Sequence, residues 1–82
     1  MVTPDSVRDG ISQGLACELL QVTGDGQHFQ ALVVSNAFMG KNRVQRHQLV
    51  YAALGERMRE EIHALSMRTL TSDEWRSEKG SA

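Results

Sequence analysis

The chain has a single cysteine, Cys17, among its 82 residues. One thiol cannot close an internal disulfide, so packing and hydrogen bonds must hold the fold, as in a reducing compartment. An excess of either charge is also lacking, with 9 Lys and Arg against 10 Asp and Glu. A dedicated nucleic-acid binder draws most of its affinity from neutralised phosphates and carries a basic excess. The balance therefore excludes whole-chain polyelectrolyte binding and leaves only a local basic patch at Lys41, Arg43 and Arg46. No apolar run approaches the roughly 20 residues of a membrane helix. Met1-Val2-Thr3-Pro4-Asp5 has neither the basic nor the apolar part of a secretory signal. The expected address is the cytoplasm, without a membrane partner. Aromatics are few, at two Phe, one Trp and one Tyr. A chain this short fits one domain with a small core and leaves little room for a deep substrate pocket.

The elements that are present have clear punctuation. Thr3-Pro4-Asp5 opens a helix, with Thr3 as N-cap and Pro4 at the first helical position. Val2 and Val7 stand where a hydrophobic staple forms. Val7, Ile11 and Leu15 recur every four residues as one apolar stripe, and Gly14 is expected to end the helix. Glu18 to Thr23 alternates around Leu20 and Val22, which predicts a half-buried strand. Gly24-Asp25-Gly26 is a tight-turn signal. His28 to Ser35 passes into Ala31-Leu32-Val33-Val34, apolar on both faces, which predicts a central strand. Ser35 to Lys41 reads as a loop. A helix from about Asn42 to Leu54 is expected to turn Val44, His47, Val50, Tyr51 and Leu54 inward along one arc. Gly55 interrupts it, and Glu56 to Glu61 predicts a second short helix with Met58 inward. His63 to Leu70 reads as a third strand. Thr71 and Glu74 form a capping-box signature for a last helical turn, with 77–82 as a frayed tail.

This order predicts a single α+β domain over 1–82, with its core at about 3–76 and an αββααβ arrangement before the last turn. The helical crossover between the second and third strands is long enough to make them parallel and should be right-handed. The helices would then cover one face of a three-stranded mixed sheet. His28 opens the second strand and His63 the third, so two good metal ligands are expected at one end of the sheet.

Four segments together carry a family resemblance: Gly24-Asp25-Gly26-Gln27-His28-Phe29; Val33-Val34-Ser35 through Phe38-Met39-Gly40-Lys41; Val44-Gln45-Arg46-His47-Gln48-Leu49-Val50-Tyr51; and Ile62-His63-Ala64-Leu65-Ser66 with Thr69-Leu70-Thr71 and Glu74-Trp75. The pattern resembles the BolA family from about residue 18 to 75, and the short Gly-Asp-Gly hairpin resembles its IbaG-like branch. The resemblance implies a fold like a class II KH domain. It also implies a non-enzymatic adaptor in iron–sulfur cluster trafficking and iron homeostasis. Such an adaptor pairs with a monothiol glutaredoxin, either apo or around a [2Fe–2S] cluster shared with the glutaredoxin and its glutathione. No cluster is then expected in the isolated chain. The alternative is a KH-like nucleic-acid-binding transcriptional regulator.

Site residues follow from the two readings together. His63 matches the family histidine that ligates the cluster, and imidazole is known as a substitute for thiolate on one iron of such centres. Asp25 and His28 both stand as candidates for a second ligand; otherwise Asp25 would serve the turn and His28 would face solvent. Cys17 reads as a small buried hydrophobe. His47 reads as a packed residue satisfied by a backbone carbonyl, and Trp75 as a cap over the core. Lys41, Arg43 and Arg46 are candidates for binding a partner's carboxylates or a phosphate backbone. The Phe38-Met39-Gly40-Lys41 turn stands where KH proteins carry a Gly-x-x-Gly clamp but has one glycine. No nucleophile–base pair or closed metal set is visible, so neither catalysis nor a small-molecule substrate is expected.

Overall fold

The structure is a computed structural model that describes residues 2–61 and 64–80; for 56–61 and 80 the description covers the backbone alone. The elements are α1 (Pro4–Gly14), β1 (Leu19–Gly24), β2 (His28–Val34), a 3-10 turn (Asn36–Phe38), α2 (Arg43–Glu61), β3 (Ala64–Leu70) and α3 (Ser72–Gly80). The strands lie in the order β1-β2-β3. β1 pairs antiparallel with β2, from Leu19↔Val34 to Gly24↔Phe29. β3 pairs parallel with β2, from His28↔Ala64 to Val34↔Leu70. The mixed sheet and its parallel pair are those the sequence predicts.

The central strand is buried along the face that the helices cover, while His28 and Gln30 on the other face are exposed. Phe29, Ala31 and Val33 point to the helical side and are at most 5% exposed, and Val34 on the other parity is equally buried. Leu20, Val22, Leu65 and Met67 extend the same apolar surface onto the flanking strands. α1 lays its Val7, Ile11 and Leu15 stripe on this surface. Its start is fixed by the Thr3 hydroxyl, which accepts from the Ser6 N–H at 3.1 Å, while Ser6 Oγ accepts from the Thr3 N–H at 2.9 Å. Val2 and Val7 are both buried, as a staple requires. Gly14 does end α1, and it also does more. A Cβ placed there would stand 2.7 Å from Ala53 Cα and 2.9 Å from Ala53 Cβ, so the glycine lets α1 and α2 approach backbone to backbone.

α2 differs from expectation in its buried face. Val50 and Leu54 are buried, but Val44 is 64% exposed. At 3.6 residues per turn Val44 lies about 120° around the helix from Val50, off the face that Val50 centres. α2 starts at a reciprocal cap in which Asn42 Oδ1 accepts from the Gln45 N–H and Gln45 Oε1 accepts from the Asn42 N–H. Gly55, at φ 82° and ψ 163°, breaks the helix where the sequence places an interruption. The side chain of Met58 and all of His63 lie outside the described residues. α3 begins at the expected capping box, with Thr71 Oγ1 accepting from the Glu74 N–H and Glu74 Oε1 accepting from the Thr71 N–H. It runs on to Gly80. Glu78 pairs with Arg68 there, and Lys79 stands 6.0 Å over the Trp75 ring.

Ser35 joins the parts. It is fully buried; its Oγ donates to the Ala16 carbonyl at 2.6 Å and accepts from the Ala37 N–H. Its N–H donates to the Leu70 carbonyl at 2.9 Å. One residue thus ties the entry to β1, the exit of β2 and the end of β3.

The close approach at Gly14 gives a stability test. Gly14→Ala gains helix propensity of about 1 kcal/mol, but a methyl against the Ala53 backbone must force the helices apart, an overpacking cost of about 1–3 kcal/mol. Net destabilisation is expected in urea unfolding, and Ala53→Gly in the same chain should recover part of it.

Candidate functional site

The β1–β2 turn is built around one carboxylate. Asp25 Oδ1 accepts from the backbone N–H of Gln27 and from that of His28, both at 2.9 Å. The Asp25 N–H closes the turn by donating to the His28 carbonyl at 3.2 Å. Gly26 supplies the positive φ, 101°, that the turn needs. Gly24 has no room for a side chain, since a Cβ would stand 2.6 Å from both the His28 carbonyl oxygen and Phe29 Cδ1. The two backbone donors, that of His28 first and that of Gln27 next, hold the Asp25 carboxyl below the ordinary carboxylate range. Asp25 Oδ2 lies 3.9 Å from His28 Nδ1, and the His28 side chain is 74% exposed.

Beside this turn is the start of β3. His28 is the register partner of Ala64, and the Ala64 N–H donates to the Gln27 carbonyl at 3.2 Å. Ala64 sets only a methyl group beside His28. His63, the residue before Ala64, lies outside the described residues. Imidazole suits iron in a [2Fe–2S] centre, and such a centre takes four ligands in all. Among the described residues no group of three or more His, Cys, Asp or Glu could hold a metal ion. The donor-bearing side chains described beside this turn are Asp25 and His28.

Cys17 is elsewhere. Its neighbour Glu18 donates its N–H to the carbonyl of Val34, at the far end of β2. Six residues of extended chain separate that point from His28, about 20 Å at ~3.3 Å per residue. Burial pushes the Cys17 thiol up, which disfavours the thiolate that binds metal. Its Sγ donates to the Leu15 carbonyl at 3.4 Å and the side chain packs on the core, so its role is structural.

The basic residues gather at that far end as well, and Arg46 is not a surface contact. Its Nε donates to the Lys41 carbonyl at 2.8 Å and its Nη1 to the Thr69 carbonyl at 3.0 Å. Nη1 and Nη2 also donate to the Glu74 carboxylate, at 2.7 and 3.4 Å. The Arg46 side chain is only 14% exposed, and its guanidinium lies 5.8 Å from the Phe38 ring centroid. The fold consumes this fork internally, which leaves Lys41 and Arg43 as the exposed part of the expected patch. Gly40, at φ 74°, lets the Lys41 N–H reach back to the Phe38 carbonyl. His47 is half-buried and has no hydrogen-bond partner among the described residues, where a backbone carbonyl was expected. It lines a groove of about 410 Å³ between α2 and β3 together with Arg43, Arg46, Met67 and Arg68. Trp75 is half-buried under Lys79 and stands apart from the main core, which corrects the expectation of a core cap.

Comparison with known proteins bears on this arrangement. Residues 5–74 match the family described as BolA-like protein. The acid stress protein IbaG of Escherichia coli K12 is 35% identical over 72 residues, covering 87% of this chain and 86% of that protein. The DNA-binding transcriptional regulator BolA of Haemophilus influenzae is 38% identical over 55 residues, covering 67% of this chain and 53% of that protein. The crystal structure of a bol-like protein from Babesia bovis superposes with a TM-score of 0.86 at 32% identity, over 96% of this chain and 95% of that one.

The Arg46–Glu74 contact sets an acid dependence. Arg46 first, and the Thr71 N–H next, hold the Glu74 carboxyl below its ordinary range. A depressed carboxylate contributes stability that is present above its unfolded value and lost as pH falls through its folded value. The Glu74 side chain is 46% exposed, so solvent screening limits the contribution to about 1 kcal/mol. Glu74→Gln should therefore be less stable than the parent at neutral pH by about that amount. The two urea curves should converge once pH drops below the folded value. Arg46→Ala, which strips donors from Lys41, Thr69 and Glu74 together, should cost about 2–3 kcal/mol at neutral pH.

Proposed function

As this chain belongs to the BolA family, we propose that it acts as a non-enzymatic adaptor in iron–sulfur cluster trafficking, pairing with a monothiol glutaredoxin to carry a [2Fe–2S] cluster. The observation that supports this reading most is the parallel register of β2 and β3. It sets the exposed His28 beside Ala64, the first residue of β3. The glutaredoxin and its glutathione would supply sulfur to one iron, and this chain would supply His63, with His28 or Asp25 beside it, to the other. Nitrogen donates less electron density than thiolate, so the shared cluster should have a higher potential than an all-thiolate one. The cluster is cargo on this reading, and the isolated chain holds none.

A second reading has a specific observation behind it: the Haemophilus influenzae relative is named a DNA-binding transcriptional regulator. Lys41 and Arg43 are exposed near the groove between α2 and β3, where a phosphate could approach. Against it stand the neutral net balance of the chain and the internal use of Arg46.

Two measurements separate these readings. Anaerobic reconstitution with a monothiol glutaredoxin and glutathione, followed by visible absorbance and circular dichroism, should give a mixed cluster with the parent. His63→Ala should lose that spectrum while its far-ultraviolet spectrum stays unchanged. A His63→Ala protein with the parent's cluster spectrum and stability would overturn the adaptor mechanism. DNA binding followed by fluorescence anisotropy should be weak and sequence-tolerant. With two phosphates neutralised by Lys41 and Arg43, log K should fall against log salt with a slope of only about −2. Nanomolar, sequence-selective binding at physiological salt would reverse the ranking.

A further inference from the structure

The sheet order β1-β2-β3 leaves β3 at one margin, with a strand neighbour on one side alone. We propose that its other edge is a docking site for an extended acidic segment of a partner protein, which adds to β3 as a fourth strand in the groove beside α2. The site needs no cluster and no residue of the β1–β2 turn.

The bonds at the two ends of the parallel pair fix which way the main-chain groups of β3 point. The Ala64 N–H donates to the Gln27 carbonyl, and the Leu70 carbonyl accepts from the Ser35 N–H. Ala64, Ser66, Arg68 and Leu70 therefore turn their N–H and C=O groups to β2, and Leu65, Met67 and Thr69 turn theirs to the open side. The fold uses one of these outward groups, the Thr69 carbonyl, which accepts from Arg46 Nη1 at 3.0 Å. The N–H and carbonyl of Met67 and the N–H of Thr69 have no hydrogen-bond partner among the described residues. Both residues line the groove of about 410 Å³ between α2 and β3. A row of unpaired strand groups is a template for another chain. A strand added there would lie about 4.8 Å outside β3 and take its affinity from main-chain hydrogen bonds.

Charge selects the kind of strand. Arg43, Arg46, His47 and Arg68 line the groove, and no acidic residue lines it. Arg43 and His47 stand four apart on one face of α2, and neither has a hydrogen-bond or ion-pair partner among the described residues. Arg46 is held by Glu74, and Arg68 pairs with Glu78. The Arg68–Glu78 pair is exposed on both sides, so it opens toward a partner's carboxylate at little cost. Met67 packs on the helical side of β3, and Arg68, on the opposite parity, faces away from it. Side chains of the added strand alternate in the same way, so one meets Arg43 and His47 and the next meets Arg68. A second copy of this chain fits the edge poorly. Symmetric pairing of two β3 edges would set the arginines of one copy against those of the other, and like charges across paired strands repel. A single nucleic-acid strand could satisfy the arginines through phosphate, but it lacks the alternating N–H and C=O groups that the open edge of β3 matches.

The probe is a capped peptide of about eight residues, a common strand length, alternating Glu and Val. It is titrated into the ¹⁵N-labelled full chain, and amide shifts and hydrogen exchange are followed by nuclear magnetic resonance. Saturable binding is expected, with the largest shifts along β3 and the first turns of α2 and with slowed exchange at the Met67 and Thr69 N–H groups. The same peptide N-methylated at every backbone amide keeps its carboxylates but cannot donate, and it should bind at least about 10-fold more weakly. A Lys and Val peptide should not bind. Arg43→Glu should weaken binding of the Glu and Val peptide by at least about 10-fold while its far-ultraviolet spectrum stays that of the parent. No saturable binding below about 1 mM would overturn the proposal. So would equal binding of the N-methylated peptide, unchanged exchange at Met67 and Thr69 in the saturated complex, or full affinity in Arg43→Glu. An oligothymidylate that displaces the peptide and binds more tightly would give the groove to nucleic acid instead. A parent that dimerises through β3 in sedimentation would give it to a second copy.

Discussion

Parallel pairing of β2 with β3 is the constraint on which the arrangement depends. A parallel neighbour cannot be reached through a tight turn, so the chain must cross from the end of β2 back to the start of β3. α2 provides that crossover, and it stands over the apolar side of the sheet because Val50 and Leu54 need cover. α1 must then share the same side, and Gly14 against Ala53 is where the two helices are allowed to meet. The register follows: His28 aligns with Ala64 at one end and Val34 with Leu70 at the other. A shift of one residue would turn every β3 side chain to the opposite face and expose Leu65 and Met67, which pack on the core.

The two ends of that parallel pair are put to different uses. At the far end, charges are spent on the fold. Arg46 joins the Phe38–Lys41 turn, the Thr69 carbonyl and the Glu74 carboxylate, and Ser35 joins three chain segments with one hydroxyl and one N–H. At the near end, the polar groups that are spent are those of the backbone and of Asp25, while the His28 ring is left outward. A small domain has little buried area to spare, so rigidity at one end allows exposure at the other.

Much of this was legible from the residues, for physical reasons that differ from place to place. The caps at Thr3 and Thr71, the Gly-Asp-Gly turn and the doubly apolar run from Ala31 to Val34 are local signals, and each formed as read. The parallel pair was legible because a helical crossover leaves few topologies. What was not legible needed distance information. Arg46 and Glu74 are 28 positions apart, so nothing local distinguishes a clamp from a surface arginine. Val44 looked inward because an apolar residue in an apolar pattern was given to the nearest arc, although its angle from Val50 is wide. In α3, Glu78 reaches Arg68 on β3, another contact absent from local sequence. At the candidate site, the sequence offered Asp25 and His28 as equals, and the structure binds Asp25 into the turn while leaving the His28 ring exposed.

On the adaptor reading, this chain supplies only part of the cluster's ligand set. Sharing the ligands with a partner needs only part of the set from this chain, and the exposed His28 ring is available for it. It also changes the energetics of release. A cluster held jointly is retained only while both proteins are present, so its affinity depends on the free energy of their association as well as on metal–ligand bonds. Replacing sulfur by nitrogen on one iron weakens the hold on that side. On the adaptor reading, the modest donor set is therefore what permits transfer: a chain able to complete the cluster's coordination by itself would keep it.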